Sequence, residues 1–138
     1  MTADVKAAVQ ADDVEALDRL FATGLDIDAK DDYGQTALML AARDGRTSVT
    51  RWLIRRGAKL DHRAKFNLTA LMLAVINARV EIVRALVEAG ADLTVRGSGA
   101  PGFDGKTALD LASARADYAV SDRLGEILGI LQRVTPPA

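Results

Sequence analysis

Apolar and polar positions along the chain repeat with a period of about 33 residues, an interval typical of repeat proteins. The hexapeptide Thr-Ala-Leu-Met-Leu-Ala occupies residues 36–41 and again 69–74, and the near-copy Thr-Ala-Leu-Asp-Leu-Ala occupies residues 107–112. A second marker keeps the period of the first two hexapeptides, at Gly24, Gly57 and Gly90. Two markers that recur in step predict that the chain is built from similar structural units.

Each repeat predicts two short helices followed by a loop. The threonine of each hexapeptide can begin the first helix, because its hydroxyl accepts a hydrogen bond from an unpaired backbone N–H. The second helix of the clearest unit carries Val49 and Trp52 at helical spacing, and Gly57 is placed to end it. The stretch that follows is predicted to be an extended loop. In the first unit the pattern predicts helices near residues 3–10 and 13–22.

These helix pairs are too small to fold alone. One pair cannot bury its apolar face, whereas stacked pairs share a continuous core. The predicted fold is therefore all-α, a solenoid of stacked helix-turn-helix units that forms one domain over residues 1–138. We divide it into an N-terminal cap, two full repeats and a C-terminal cap, at residues 1–30, 31–63, 64–96 and 97–138.

The last unit is longer than the others. The interval from Thr69 to Thr107 exceeds the repeat period, and the surplus falls in the glycine-rich stretch 97–102. This stretch is either a mobile insertion or a further contact element, and the sequence does not decide between them. The helix connection at 117–121 is also lengthened, and we expect helical order to end at Pro136.

Charge is distributed unevenly, although the formal net charge is only -1. Residues 1–32 carry nine acidic and three basic residues, whereas residues 43–65 carry eight basic and two acidic ones. This asymmetry either steers a charged partner or reflects solvated helix faces. The chain lacks an N-terminal secretion signal and a long apolar run, so we expect a cytoplasmic protein without a membrane partner. We also expect a monomer.

The residues needed for catalysis or for metal binding are scarce. The chain has no cysteine, and its one histidine, His62, has no second ligand nearby in sequence, so we expect no metal site. Gly105-Lys106-Thr107 resembles the end of a phosphate-binding loop, but Ala100 stands where that loop needs glycine. Arg55 lies in a basic stretch, yet the chain is not basic overall, which disfavours nucleic acid. We expect that the chain is not itself an enzyme and that it binds neither a cofactor nor a small-molecule substrate.

The repeated motif has the pattern Gly-x-Thr-Ala-Leu-x-Leu-Ala-Ala, then Gly, then an Ile/Val-rich helix, then Gly-Ala-Asp. This pattern resembles the ankyrin repeat. The resemblance covers nearly the whole chain and implies β-turn loops that project from the helix pairs. Where the family has Thr-Pro-Leu-His, this chain has alanine for proline and Met39, Met72 or Asp110 for histidine. In the family that histidine connects adjacent loops by hydrogen bonds, so we expect looser loops here.

In ankyrin proteins the partner usually lies in the concave groove formed by the loop tips and the first-helix faces. Carried over to this chain, the resemblance implies a set of partner-binding residues: Tyr33, Gln35, Met39, Arg43, Lys65, Phe66, Leu68, Met72, Ile76, Asn77, Phe103, Lys106 and Arg115. The aromatic residues among them are either interface anchors or packing residues that stiffen the loops. For Phe103 we favour packing beneath the long loop, and for Trp52 packing in the core.

The predicted function is a non-catalytic module, a scaffold or adaptor, that binds a protein partner. One alternative is a regulatory or protective factor for an enzyme partner. A third hypothesis is a structural cap or a fragment of a larger ankyrin protein. The initial Met1 and the amphipathic closing helix lead us to expect a complete chain.

Overall fold

Eight α-helices follow one another in the residues that the computed structural model describes, 1–116 and 122–135. They are α1 (Ala3–Gln10), α2 (Val14–Phe21), α3 (Ala37–Asp44), α4 (Thr47–Arg55), α5 (Ala70–Ile76), α6 (Val80–Glu88), α7 (Ala108–Ala116) and α8 (Asp122–Val134). A short 3-10 turn, Lys65–Asn67, lies between α4 and α5. Within these residues β-type pairing is confined to two isolated bridges. The predicted all-α class is confirmed.

The helices stack in two rows. The first row contains α1, α3, α5 and α7, each in contact with the next, and the second row contains α2, α4, α6 and α8 in the same order. The two helices of each pair also contact one another, as a solenoid of helix pairs requires. The lengthened connection 117–121 and Pro136 lie outside the described residues. The unit boundaries after residues 30, 63 and 96 stay a prediction.

A threonine begins each later helix of the first row, as the repeat predicts. The hydroxyls of Thr36 and Thr69 accept hydrogen bonds from the backbone N–H groups of Met39 and Met72, both at 3.3 Å. The last repeat adds a reciprocal bond, because Asp110 accepts from the Thr107 N–H at 3.0 Å while Thr107 accepts from the Asp110 N–H at 3.2 Å. This capping box satisfies two N–H groups at the start of α7.

The second helices end at the repeated glycines. Gly57 has a φ of 78°, which places it in the left-handed region. Its N–H donates to the Ile54 carbonyl at 3.1 Å, and the next N–H, from Ala58, donates to Leu53 at 3.1 Å. The same pair of bonds recurs around Gly90 at the end of α6. These bonds form a Schellman motif, which satisfies carbonyls that the helix end leaves unpaired.

Aspartates outside the helices connect neighbouring units. The Asp28 carboxylate accepts a hydrogen bond from the Lys59 N–H at 2.8 Å, and at the equivalent position of the next unit Asp61 accepts from the Asp92 N–H at the same distance. Asp12 reaches across to the Val49 N–H in the first turn of α4, at 2.9 Å. These bonds hold the units in register in addition to the apolar core.

One backbone position of the repeat is left-handed in three successive units, and alanine occupies it in one of them. Asp12, Gly45 and Ala78 occupy equivalent positions of successive units and have φ values of 54°, 75° and 56°. Alanine is disfavoured there, because its Cβ crowds the backbone in the left-handed region. We therefore expect Ala78→Gly to raise the free energy of unfolding by up to about 1 kcal/mol in urea denaturation.

Gly45→Ala is the matched control for that substitution. It should lower the free energy of unfolding, because the new Cβ would lie 3.0 Å from the Arg79 guanidinium in addition to its strained φ. An Ala78→Gly variant no more stable than the wild type would show that position 78 carries no strain.

Candidate partner-binding surface

The first two loop tips are closed by equivalent backbone hydrogen bonds. At residues 31–35 the Asp31 N–H donates to the Gln35 carbonyl at 2.8 Å, and at residues 64–68 the Ala64 N–H donates to the Leu68 carbonyl at 3.0 Å. The first tip is further held by the Asp31 carboxylate, whose Oδ1 accepts from the N–H groups of Tyr33 and Gln35, both at 2.9 Å. Side chains on these tips are therefore presented on ordered backbone.

The two aromatic residues at equivalent tip positions have different surroundings. Tyr33 is 75% exposed, with the Lys6 ammonium 6.0 Å from its ring centroid. Phe66 is partly buried at a φ of 61°, and its ring centroid lies 5.9 Å from that of Phe103. Phe66 and Phe103 therefore pack on each other, whereas Tyr33 projects into solvent.

The glycine-rich loop is anchored at its base to the second loop tip. The Ser98 N–H donates to the Phe66 carbonyl at 2.8 Å, and the Asn67 side-chain amide donates to the Arg96 carbonyl at 2.7 Å. Gly97 is required there, because a Cβ on it would lie 2.4 Å from the Phe103 carbonyl oxygen. The loop thus extends the row of tips from a fixed base.

Three residues predicted to contact a partner lie in the core instead. Met39 and Met72 are each 1% exposed, and Leu68 is also buried. The first-row helices direct the side chains at the two methionine positions into the shared apolar cluster, where burial removes them from water. Asp110, at the corresponding position of α7, is exposed and caps its helix. We therefore remove Met39, Met72 and Leu68 from the candidate surface.

The remaining predicted residues reach solvent to different degrees. Exposed side chains belong to Tyr33, Lys65, Asn77 and Arg115, and partly buried ones to Gln35, Arg43, Phe66, Ile76, Phe103 and Lys106. Together these ten residues form what we call the loop-tip face. Their role as partner contacts stays a prediction.

Arg43 on this face is held by two neighbours. Its Nε and Nη2 donate to the Asp44 carboxylate at 2.8 and 3.2 Å, and its Nη1 donates to the Gln35 side-chain oxygen at 3.3 Å. The hydrogen bonds to Asp44 raise the pKa of Arg43, and the same bonds lower the pKa of Asp44 below its ordinary value of 3.8. The guanidinium is therefore fixed in place before any partner binds.

The lowered pKa of Asp44 predicts the sign of a pH effect. Because the carboxyl group holds its proton less tightly in the folded state, its stabilising contribution is complete above about pH 4 and is lost as the pH falls through the folded-state pKa. The contribution should stay below about 1 kcal/mol, since the pair is partly solvated. An NMR titration should place the midpoint below 3.8, and Arg43→Gln should move it upward. An unchanged midpoint in Arg43→Gln would contradict this assignment.

No group of three or more His, Asp or Glu side chains in residues 1–116 and 122–135 is arranged to hold a metal ion. The His62 Nε2 lies 3.2 Å from the Gly34 carbonyl oxygen and, in the tautomer with its hydrogen on Nε2, connects the first loop tip to the segment that precedes the second. Within the described helices, none combines the length and apolar character needed to cross a bilayer.

Comparison with known proteins agrees with the stacked helix pairs. A family model described as ankyrin repeats in three copies matches residues 5–97, about two thirds of the chain. The chain belongs to the ankyrin-repeat family. Ankyrin repeats are generally protein–protein interaction modules and are typically non-catalytic.

One relative matches part of this ankyrin-repeat chain. Over 46 residues, 41% of positions are identical to the G patch domain and ankyrin repeat-containing protein 1 homolog of Drosophila melanogaster. The alignment covers 33% of this chain and 14% of that protein. The likeness therefore concerns a repeat-sized segment of a much longer relative.

Proposed function

We propose that this ankyrin-repeat chain binds a protein partner on its loop-tip face and acts as a scaffold or adaptor. The proposal rests mainly on Tyr33, an aromatic side chain that is 75% exposed although its backbone is fixed by the Asp31 carboxylate. An exposed, pre-ordered tyrosine can bury a large apolar area in a complex at little entropic cost. A monomeric state and a cytoplasmic location belong to the same proposal.

The electrostatics and order of the face support this proposal. Arg43 is held by Asp44 and Gln35, and arginine is enriched among the residues that dominate binding energies. The Lys65 ammonium lies 4.9 Å from the Phe66 ring centroid, which restrains a second cation beside the tips. Because these contacts already restrict the side chains, less conformational entropy is lost when a partner binds.

The alternative is a regulatory or protective factor for an enzyme partner. It uses the same surface and differs only in the partner and in the consequence of binding. A change in the catalytic rate of a purified enzyme partner on addition of this chain would favour the alternative over a simple scaffold.

Partner binding can be tested with one variant on each side of the solenoid. A tagged chain is used to isolate proteins from native cells, and the affinity of a purified partner is then measured by calorimetry. Tyr33→Ala should weaken binding at least about tenfold, the effect of losing a hot-spot residue. Arg55→Ala, at an exposed position of the second-row helix α4, should change the affinity less than about twofold.

The opposite pattern would overturn the proposal. If Arg55→Ala lost the partner while Tyr33→Ala kept it, the second-row side would be the binding surface. Failure to isolate any protein that binds the purified chain saturably would also contradict a scaffold role.

A further inference from the structure

A cleft of about 220 Å³ lies between α1 and the first loop tip. Its lining includes Lys6 from α1 and three consecutive tip residues, Asp31, Asp32 and Tyr33. Tyr33 and Asp32 are exposed, so the cleft opens beside the residue on which the proposed function rests. The cleft therefore combines an aromatic ring, two carboxylates and the Lys6 ammonium, and Met1 also lines it.

Only one oxygen of the Asp31 carboxylate in this cleft accepts hydrogen bonds. Its side chain is 7% exposed, and Oδ1 accepts the two tip hydrogen bonds from Tyr33 and Gln35. Oδ2 has no hydrogen-bond partner in the part of the chain that the structure describes. The Lys6 ammonium is 3.7 Å from Oδ2, an ion pair too long to be a hydrogen bond. A buried acceptor left without a donor costs free energy that a better donor can recover.

We propose that this cleft receives an arginine side chain of the protein partner, with its guanidinium stacked on the Tyr33 ring and hydrogen-bonded to Asp31 and Asp32. The inference rests on the proposed function and names the chemistry of its partner. A guanidinium suits the cleft because it is planar, carries five donors and stacks on aromatic faces. The resident ammonium of Lys6 makes neither a hydrogen bond to Asp31 nor a close ring contact.

Two further observations fit a cationic occupant. The Lys6 side chain is 38% exposed, so it can turn into solvent when a guanidinium takes its place over Oδ2 and compensates the buried Asp31 charge. The surrounding segment, residues 1–32, carries nine acidic against three basic residues. Its negative potential attracts a basic segment and repels an acidic one.

The test is an NMR titration of the whole chain with N-acetyl-arginine methylamide. The amide signals of Tyr33 and Gln35 report on the cleft, because both N–H groups donate to Asp31. We expect saturable shifts with a dissociation constant on the order of 1 mM, the range of a small polar ligand. The citrulline analogue, which has a neutral urea in place of the guanidinium, should leave these signals unshifted.

Three variants sharpen the test. Asp32→Asn and Tyr33→Leu, both at exposed positions, should each weaken arginine binding at least about threefold, the loss of one weak ionic or cation–π contact. Lys6→Met removes the competing cation and should strengthen binding about two- to threefold. A gain of affinity cannot arise from structural damage, so this variant separates recognition from folding.

Several results would overturn the inference. These are equal shifts with the citrulline analogue, weaker binding by Lys6→Met, or no saturable shift at Tyr33 and Gln35. Because the titration uses no partner, its failure can be told apart from failure of the proposed function. If Tyr33→Ala still lowers partner affinity about tenfold while the arginine ligand does not bind, the loop-tip face is the binding surface but the cleft does not recognise arginine.

Discussion

Replacing Trp52 by alanine is expected to lower the free energy of unfolding by about 3–5 kcal/mol. Trp52 is 4% exposed, and its ring centroid lies 5.5 Å from that of Phe21. Its indole N–H donates to the Asp18 carboxylate at 2.8 Å, and that carboxylate also pairs with Arg56 at 2.7 Å. The substitution would therefore remove both an apolar and a polar link between α2 and α4.

Urea denaturation measures this loss of stability. Unfolding is monitored by circular dichroism, because the alanine variant has no tryptophan to give a fluorescence signal. Trp52→Phe is the control, because it keeps an aromatic ring but removes the hydrogen bond to Asp18. Its cost should be smaller, about 1–2 kcal/mol. A cost below about 1 kcal/mol for Trp52→Ala would mean that this side chain does not join the first two units.

The second large effect is expected in α5. Leu71→Ala should cost about 2–5 kcal/mol, because Leu71 is 1% exposed and its truncation leaves a cavity between stacked helices. Leu25→Ala is the matched control, since Leu25 is 37% exposed and has much less burial to lose. Equal costs for the two variants, measured by urea denaturation, would show that the stacking described for α5 is wrong.

Much of the fold could be predicted because its signals are local. A threonine before an apolar run and a glycine after the next one set the ends of α5 and α6, and the structure shows the expected bonds at Thr69 and Gly90. The predicted helices at 3–10 and 13–22 correspond to Ala3–Gln10 and Val14–Phe21. Core packing of Trp52 was predictable because a tryptophan on a helix of this size is usually buried.

The errors on the candidate surface have a geometric cause. The resemblance to ankyrin repeats places Met39 on the partner-binding surface, because it carries partner contacts over to the first-helix faces. Whether it faces the partner or the core depends on how α3 is rotated against its neighbours, which periodicity does not specify. An apolar residue at the position is itself a signal for burial, and Asp110 at the same position is exposed.

The cleft beside Tyr33 could not be read from the sequence. Lys6 and Asp31 are distant along the chain, and their approach depends on how α1 packs against the first tip. The capping of α4 by Asp12 is equally non-local, because the acceptor and the donor belong to different units. The packing of Phe66 against Phe103 depends on the path of the glycine-rich loop, which composition alone leaves undetermined.

In the proposed function, a protein partner covers the loop tips and leaves the second row of helices in solvent. Hydrogen exchange followed by mass spectrometry, on the chain alone and with its purified partner, tests this most directly. We expect slower exchange in residues 31–36, 64–69 and 96–106 when the partner is bound, with exchange in α4 and α6 unchanged. Slower exchange confined to α4 and α6, with the tips unaffected, would contradict it.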